Sequence, residues 1–342
     1  MDFESTASAN SATRATKAAN KSPAPPNVNP ELGSGNGRAF LTTDYTNITD
    51  GSYPWNSCNP WSNGLGVLLF FVANPCLAPG GLIPQLGSVP DFRAYCPTTE
   101  SAPAELRLSP EESHHLVVVN RCSRGDAVVA FDGHGREWLT ECLDPSKSHA
   151  LLRVKSARPA APRPFAITLA QALPKGPTMD DIVRQATEVG AARIVPLLSA
   201  RTQVHLDSDR ADKKHEKWHT GAIEAAKQCG NPWLPEIAPL QKFETFLAGA
   251  KDYDLKLVAS LHAGTTTLKK ALGTYFAKHP AARQHAPLKA VWLVGPEGDF
   301  SPAEMTAAIT AGFVPVTLGP LVLRSDTAAI YALSILGNEL GS

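Results

Sequence analysis

The chain reads as an α/β protein: a parallel-sheet domain towards the C-terminus, preceded by a small β domain and a disordered N-terminal leader. Three observations carry that class. From Phe165 onward, short apolar runs alternate with segments of helical period, as in a sheet covered by helices on both faces. Two of those runs, Ala290–Val294 and Val314–Leu318, each lead into Gly-Pro and then a helix with start signals. Between Phe92 and about Ser156 the pattern changes to short strands and turns. With 342 residues, two domains and a sizeable core are expected.

The leader, residues 1–88, opens "MDFESTASANSATRATKAANKSPAPPNVNP", rich in Ser, Ala, Asn, Thr and Pro without an apolar period, and is expected to be disordered. "GSGNGR" (33–38) contains G-x-G-x-G, the look of a Rossmann methyltransferase fingerprint, but it follows no strand and opens no helix. "VLLFFVA" (67–73) is too short to span a bilayer and lies too deep for a signal peptide. No function is assigned to the leader, and its removal is expected to leave the folded part intact.

The small domain is expected over 89–156. "GDAVVAFDGHGREWLTECL" predicts a hairpin, with Ala127–Phe131 and Trp138–Leu143 joined by an Asp-Gly-His-Gly turn. "SPEESHHL" starts a short helix, capped by Ser109 with Pro110 first. His114 and His115 are adjacent, so they project about 100° apart on a helix, and they read as packing or surface residues rather than metal ligands. "ARPAAPRP" (157–164) is the expected linker.

The domain over 164–342 follows element by element. Phe165–Leu173 is a strand, and a helix runs from a Thr178 cap to Gly190, with Asp180 and Asp181 at its positive end. Arg193–Leu198 is the next strand, a long helix spans about Asp209–Cys229, and Leu255–Leu261 is another strand. After Val294 comes Gly295-Pro296-Glu297-Gly298-Asp299, in which the glycines allow close backbone approach and the proline stiffens the path. Ser301-Pro302-Ala303-Glu304 is a capping box, Phe300 and Met305 are placed as a hydrophobic staple, and Gly312 should end the helix. The second unit has Gly319-Pro320, then Arg324, then a helix from about Thr327 capped by Ser325 or Asp326, with Ile330, Leu333, Leu336 and Leu340 as its apolar stripe. Two Gly-Pro loops at the C-terminal ends of strands lie where open α/β sheets bind ligands.

Composition narrows the function classes. Lys+Arg and Asp+Glu both total 32, so the chain is not a generally basic nucleic-acid coat; a localised basic groove is still compatible. Six cysteines (Cys58, Cys76, Cys96, Cys122, Cys142 and Cys229) show no metal spacing and read as reduced thiols of a cytosolic protein.

From about Asp91 to the end the chain resembles the RsmE family of bacterial 16S ribosomal RNA uridine N3-methyltransferases, in the SPOUT superfamily. The stretches that carry the resemblance are "QALPKGPTMDDIVRQATEVGAARIVPLLSARTQV" (171–204), "KWHTGAIEAAKQCGNPWLPEI" (217–237), "LVGPEGDFSPAE" and "LGPLVLRSDTAA". The resemblance implies a SPOUT-type α/β domain with a C-terminal trefoil knot, bound S-adenosylmethionine, and a homodimer. It also implies a PUA-like β-barrel that docks RNA, and a cytoplasmic enzyme acting on 16S ribosomal RNA, within the small ribosomal subunit. Another SPOUT enzyme acting on transfer RNA or a ribose hydroxyl, and a catalytically silent RNA-binding assembly factor, are the rival readings.

The implied cofactor site comprises Leu261, His262, Gly295, Pro296, Glu297, Gly298, Leu318, Gly319 and Leu323. Glu297 has two readings, a cofactor contact or a brace of its loop. Uracil N3 must lose a proton before it attacks a methyl group, and a cation near O2 or O4 would stabilise the anion. Arg324 is the expected catalytic residue in that role, against the reading of a helix-flanking salt-bridge residue. No proton acceptor stands out. Lys175 and Arg201 match positions expected to meet RNA phosphates. Three residues depart from the family pattern: Asp299 in place of a second glycine, and Leu321 and Asn231 where arginines are common. Asp tolerates positive φ better than most residues, so the loop should survive.

Overall fold

In a computed structural model of the protein, the described residues are 92–100, 102–203, 207–262, 264–280 and 287–341. The leader, with "GSGNGR", "VLLFFVA", Cys58 and Cys76, lies outside them.

The first described unit contains β1 (Phe92–Tyr95), β2 (Glu105–Arg107), α1 (Pro110–His114), a π turn over His115–Val119, β3 (Ala127–Phe131), β4 (Arg136–Asp144) and β5 (Leu151–Pro159). The five strands form one sheet in the order β1-β3-β4-β5-β2, with β1 parallel to β3 and the remaining pairs antiparallel. Its two edges approach each other, since Cys96 Sγ just past β1 donates to Arg107 O of β2 at 3.7 Å. Leu106, Leu116, Val128, Trp138 and Leu152 fill the space so enclosed. The expected cap is present: Ser109 Oγ accepts from Glu112 N, with Pro110 in the first turn. In the hairpin turn, Asp132 Oδ1 accepts from His134 N and Arg136 N at 2.8 and 3.0 Å. That Asx turn lets Gly133 and Gly135 take φ of 81° and 85°. The segment read as a linker begins later than expected, because β5 runs on through Pro159 paired with Arg136.

The second unit is built from β6 (Phe165–Ala172), α2 (Thr178–Glu188), β7 (Arg193–Leu198), α3 (Ser208–Cys229), β8 (Glu236–Ile237), β9 (Gln241–Lys242), α4 (Phe243–Gly249), β10 (Leu255–Ala259), β11 (Thr266–Thr267), α5 (Leu268–Lys278), β12 (Leu288–Val294), α6 (Pro302–Thr310), β13 (Val314–Thr317) and α7 (Ser325–Gly341). Its strands pair in parallel in the order β11-β13-β10-β12-β6-β7-β8, with β9 also on β7. Successive side chains of a strand point to opposite faces, and β12 uses both. Leu288, Ala290, Trp292 and Val294 enter the core under α2, α3, α5 and α7. Val291 and Leu293 enter the core under α4 and α6, beside Phe243, Phe300 and Met305. Burial on both faces explains why β12 reads as an unbroken apolar run.

Local start and stop signals agree with the structure in most places. Ser301 and Glu304 form the reciprocal capping box, and α6 ends before Gly312 at φ 90°. α3 is capped by Asp207 and ends at Gly230, whose φ is 75°. Two caps differ. Thr178 is the first helical residue, not the cap; Pro177 precedes it with no side-chain cap bond, because the rigid Pro174–Pro177 turn already directs the chain into the helix. Likewise α7 begins at Ser325, where Arg324 O accepts from Ala328 N at 2.8 Å, and Ser325 spends its hydroxyl elsewhere. Leu173, Leu261 and Leu318 fall just beyond their strands, where the chain turns into the loops.

The two units are joined through polar contacts that are mostly buried. Lys227 on α3 and Glu112 on α1 are 7% and 9% exposed, and their side chains pair at 2.9 Å. Glu112 also accepts from Tyr95 N, and Lys227 Nζ meets Glu224 at 2.6 Å and His115 Nδ1 at 3.3 Å. The 132–135 turn docks on the loop after α3, with Gly135 N donating to Pro232 O and Leu234 N to Gly133 O. A Cβ on Gly135 would sit 2.1 Å from the Trp233 ring, so that turn has no room for a side chain.

Candidate active site

The two Gly-Pro loops meet at the C-terminal ends of β10, β12 and β13 and enclose a cleft of about 500 Å³. That volume lies within the usual range of small-molecule sites. The walls come from Ala259 to Leu261 after β10, Val294 to Glu297 and Asp299 after β12, and Val316 to Leu318 and Leu321 to Asp326 after β13.

Each loop is held by bonds that span the sequence. Gln171 Nε2, at the end of β6, donates to Ser325 Oγ at 2.8 Å and to Ala172 O at 2.8 Å. Ser325 Oγ in turn donates to Gly295 O at 2.9 Å. This fully buried chain pins the start of one loop to the end of the other and to the neighbouring strand. Glu297 Oε1 accepts from Lys175 N at 2.9 Å, and Arg201 Nη1 donates to Gly298 O at 2.6 Å. Glu304, 5% exposed, accepts from Ala200 N at 2.6 Å as well as from Ser301. The buried Gln171–Ser325–Gly295 chain and the Glu304 contacts hold both loops in place without a ligand.

The loop after β12 turns sharply at Asp299, whose φ is 60°. The tolerance expected of aspartate at that position is what the backbone uses, with Asp299 Oδ1 accepting from Phe300 N at 2.7 Å. The turn folds back so tightly that a Cβ on Gly295 would lie 3.2 Å from Asp299 Cα and from Phe300 N. Gly298 differs from expectation: a Cβ there would meet only Arg201 at 3.5 Å, an ordinary contact, and its φ is not positive.

Of the residues implied by resemblance, Leu261, Gly295, Pro296, Glu297, Leu318, Leu323 and Arg324 line the cleft together. His262, Gly298 and Gly319 sit on the same loops but outside its wall. Lys175 and Arg201 are exposed beside it and tied to the 295–299 loop, so Arg201 has a structural partner besides any phosphate. Glu297 acts as the loop brace, the second of its two readings. Arg324 is exposed on the rim, and among the described residues it forms no ion pair. Asn231 is 7% exposed and donates to Thr187 O, so this departure joins α3 to α2 instead of facing a ligand. Leu321 is 73% exposed on the cleft rim. Sequence reasoning did not place Gln171, Ser325 or Asp326 in the site, and read the last two only as caps. A buried amide inside the "QALPKG" stretch was the signal available for the first.

The donor set suits S-adenosylmethionine. Asp326 offers a carboxylate to a ligand with an ammonium, a sulfonium and ribose hydroxyls, and Leu261, Leu318 and Leu323 offer apolar cover for an adenine.

A parallel sheet with such a loop-built cleft and a β unit at its N-terminal side is compatible with an RNA methyltransferase, and two family models give that class. The model described as RNA methyltransferase domain matches residues 161–337, and the one described as RNA methyltransferase PUA domain matches 108–155. Ribosomal RNA small subunit methyltransferase E of Synechocystis is 32% identical over 287 residues, covering 80% of this chain and 89% of that protein. The Bacillus subtilis protein of the same name is 30% identical, covering 70% and 92%. Among solved structures, a Legionella pneumophila methyltransferase in complex with S-adenosylmethionine matches with a TM-score of 0.63 at 33% identity, over 72% of this chain and 96% of that one. A Neisseria gonorrhoeae ribosomal RNA small subunit methyltransferase E bound to S-adenosylmethionine matches with a TM-score of 0.63 at 26% identity, over the same shares. The chain belongs to the ribosomal RNA small subunit methyltransferase E family.

Proposed function

We propose that the protein transfers the methyl group of S-adenosylmethionine to N3 of one uridine in small-subunit ribosomal RNA. The observation that carries this is the cleft itself, prebuilt from the two Gly-Pro loops with Arg324 on its rim and, among the described residues, in no ion pair. Bound S-adenosylmethionine supplies an already activated methyl group, so the chain's task is positioning and charge stabilisation. Gly295 brings backbone groups close to the cofactor, with Leu261, Pro296, Leu318 and Leu323 around it; Gly298 and Gly319 shape the loops. Arg324 stabilises charge on the uracil carbonyls as N3 loses its proton. A uridine stacked in RNA has to be extruded to reach the cleft, and Lys175 and Arg201 lie where flanking phosphates would pass.

Three further parts belong to this reading. The C-terminal segment is knotted, a reading supported by the chain's return from β13 at one side of β10 through 318–324 to α7 packed on β6 and β12. The enzyme works as a homodimer through the face of α7 that leaves Tyr331 49% exposed, and light scattering at micromolar concentration should give twice the chain mass. It acts in the cytoplasm on the small ribosomal subunit, in keeping with four unpaired cysteines and no helix able to cross a membrane among the described residues.

Reverse transcription of small-subunit ribosomal RNA tests the reading. N3-methylation removes a Watson–Crick donor, so the polymerase should stop at one uridine in cells with the gene and read through in cells lacking it. Read-through in both would refute it. Calorimetry with S-adenosylmethionine separates a silent RNA-binding factor, which would show no heat of binding.

A further inference from the structure

Methylation at N3 leaves one requirement unmet by Arg324, which cannot act as a base. The N3 proton needs an acceptor beside the cleft. We propose that His262 takes that proton and that Asp299 holds the imidazole for the task; the inference rests on the N3 reading above.

The geometry is that of a base with an orienting carboxylate. His262 follows Leu261, which lines the cleft; its own side chain is 57% exposed and lies outside the cleft wall, against Asp299. Its Nε2 lies 3.7 Å from Asp299 Oδ2. Asp299 is 25% exposed and lines the cleft, and its other oxygen is occupied by Phe300 N at 2.7 Å, so Oδ2 is the one left for the imidazole. The backbone of His262 is set by its N–H donating to Ser260 Oγ at 3.2 Å. The separation of 3.7 Å is longer than a hydrogen bond; such contacts are often long before substrate arrives and tighten in the complex. The charged residues lining the cleft are Glu297, Asp299, Arg324 and Asp326, with Lys175 and Arg201 beside it, and Glu297 is committed to Lys175 N. An imidazole is better matched to a proton transfer near neutrality than any of these carboxylates.

With Nε2–H directed at Asp299, Nδ1 is the free acceptor. N3 gives its proton to Nδ1 and keeps the electron pair, which forms the new bond to the methyl carbon. The pair of the broken methyl–sulfur bond stays on sulfur. The imidazolium, stabilised by Asp299, then releases its proton to water through its exposed face.

Single-turnover methyl transfer to small-subunit ribosomal RNA by the full chain, at saturating S-adenosylmethionine, tests the assignment. His262→Ala should slow the step on the order of 10²–10⁴-fold at neutral pH, the usual contribution of a general base. Calorimetry should show unchanged cofactor affinity. Added imidazole, or a pH high enough to ionise uracil N3 directly, should restore part of the rate, which would not follow from a packing defect. Asp299→Gly, which suits the positive φ, and Asp299→Asn should both lower the rate without changing cofactor affinity or the RNA concentration at half-maximal rate. An undiminished His262→Ala rate, a loss of cofactor binding, or a loss that neither imidazole nor alkali relieves would overturn the proposal. Mass spectrometry of wild-type product tests the N3 reading separately. N3-methyluridine together with a fully active His262→Ala variant overturns this inference alone, whereas a different methylated nucleoside overturns both.

Discussion

Replacing Lys227 by methionine probes what holds the β unit to the methyltransferase domain. The ammonium is 7% exposed and bonds Glu112 Oε1 at 2.9 Å across 115 residues of sequence. Methionine preserves most of the side-chain volume, so the change removes charge rather than packing. Glu112 would keep the Tyr95 N bond at 3.0 Å but lose its counter-ion in a site where it is only 9% exposed. Breaking one side of a buried pair costs about 3–5 kcal/mol, whereas replacing both partners is often close to neutral. At about 2–4 °C per kcal/mol for a domain of this size, the single variant should melt on the order of 10 °C lower. Lys227→Met with Glu112→Gln should recover most of the loss. Urea denaturation followed by tryptophan fluorescence, run as a four-member cycle, gives the coupling directly. A Lys227→Met cost under about 1 kcal/mol would refute the reasoning, because that is how a solvated surface pair behaves.

Arg324→Ala should reduce methyl transfer by about 100-fold or more, the scale of losing one transition-state donor, with little change in S-adenosylmethionine affinity; Arg324→Lys should rescue only in part. A loss of cofactor binding with unchanged single-turnover chemistry would make Arg324 a brace instead. Gly295→Val should abolish cofactor binding, since even a Cβ there lies 3.2 Å from three atoms of the turn, while Gly298→Ala should bind nearly as well as the wild type; calorimetry on both decides it. Burial pushes the Cys96 thiol up to about 11 and the Cys122 thiol up to about 12. Each thiol then holds its proton when folded but loses it near pH 8.5 when unfolded, so the unfolded chain binds fewer protons and stability falls as pH rises from about 9 towards 11. Thermal melts across that range should decline, and flat melts would count against the burial of these thiols.

What the sequence alone determined is what short-range chemistry controls. The capping box of Ser301 and Glu304, the stop at Gly312, the Asp132 turn and the unbroken apolar run of β12 each involve residues a few positions apart, and each is present in the structure. Both Gly-Pro loops could therefore be placed at strand ends before their meeting was known. Caps failed where a neighbour competed: Ser325 was free to cap α7 by sequence, but its hydroxyl is taken by Gly295 O, 30 residues away. Only the tertiary structure decided how the cleft is braced and what it can do. Gln171 reaches Ser325 across 154 residues, Lys175 reaches Glu297 across 122, and His262 meets Asp299 from a different strand end. Such pairs leave no periodic trace, because their distance is set by the order β13-β10-β12-β6 in the sheet. Parallel neighbours require crossovers that separate contacting residues widely in sequence, which is why the chemistry of this site became legible only once the strands were in place.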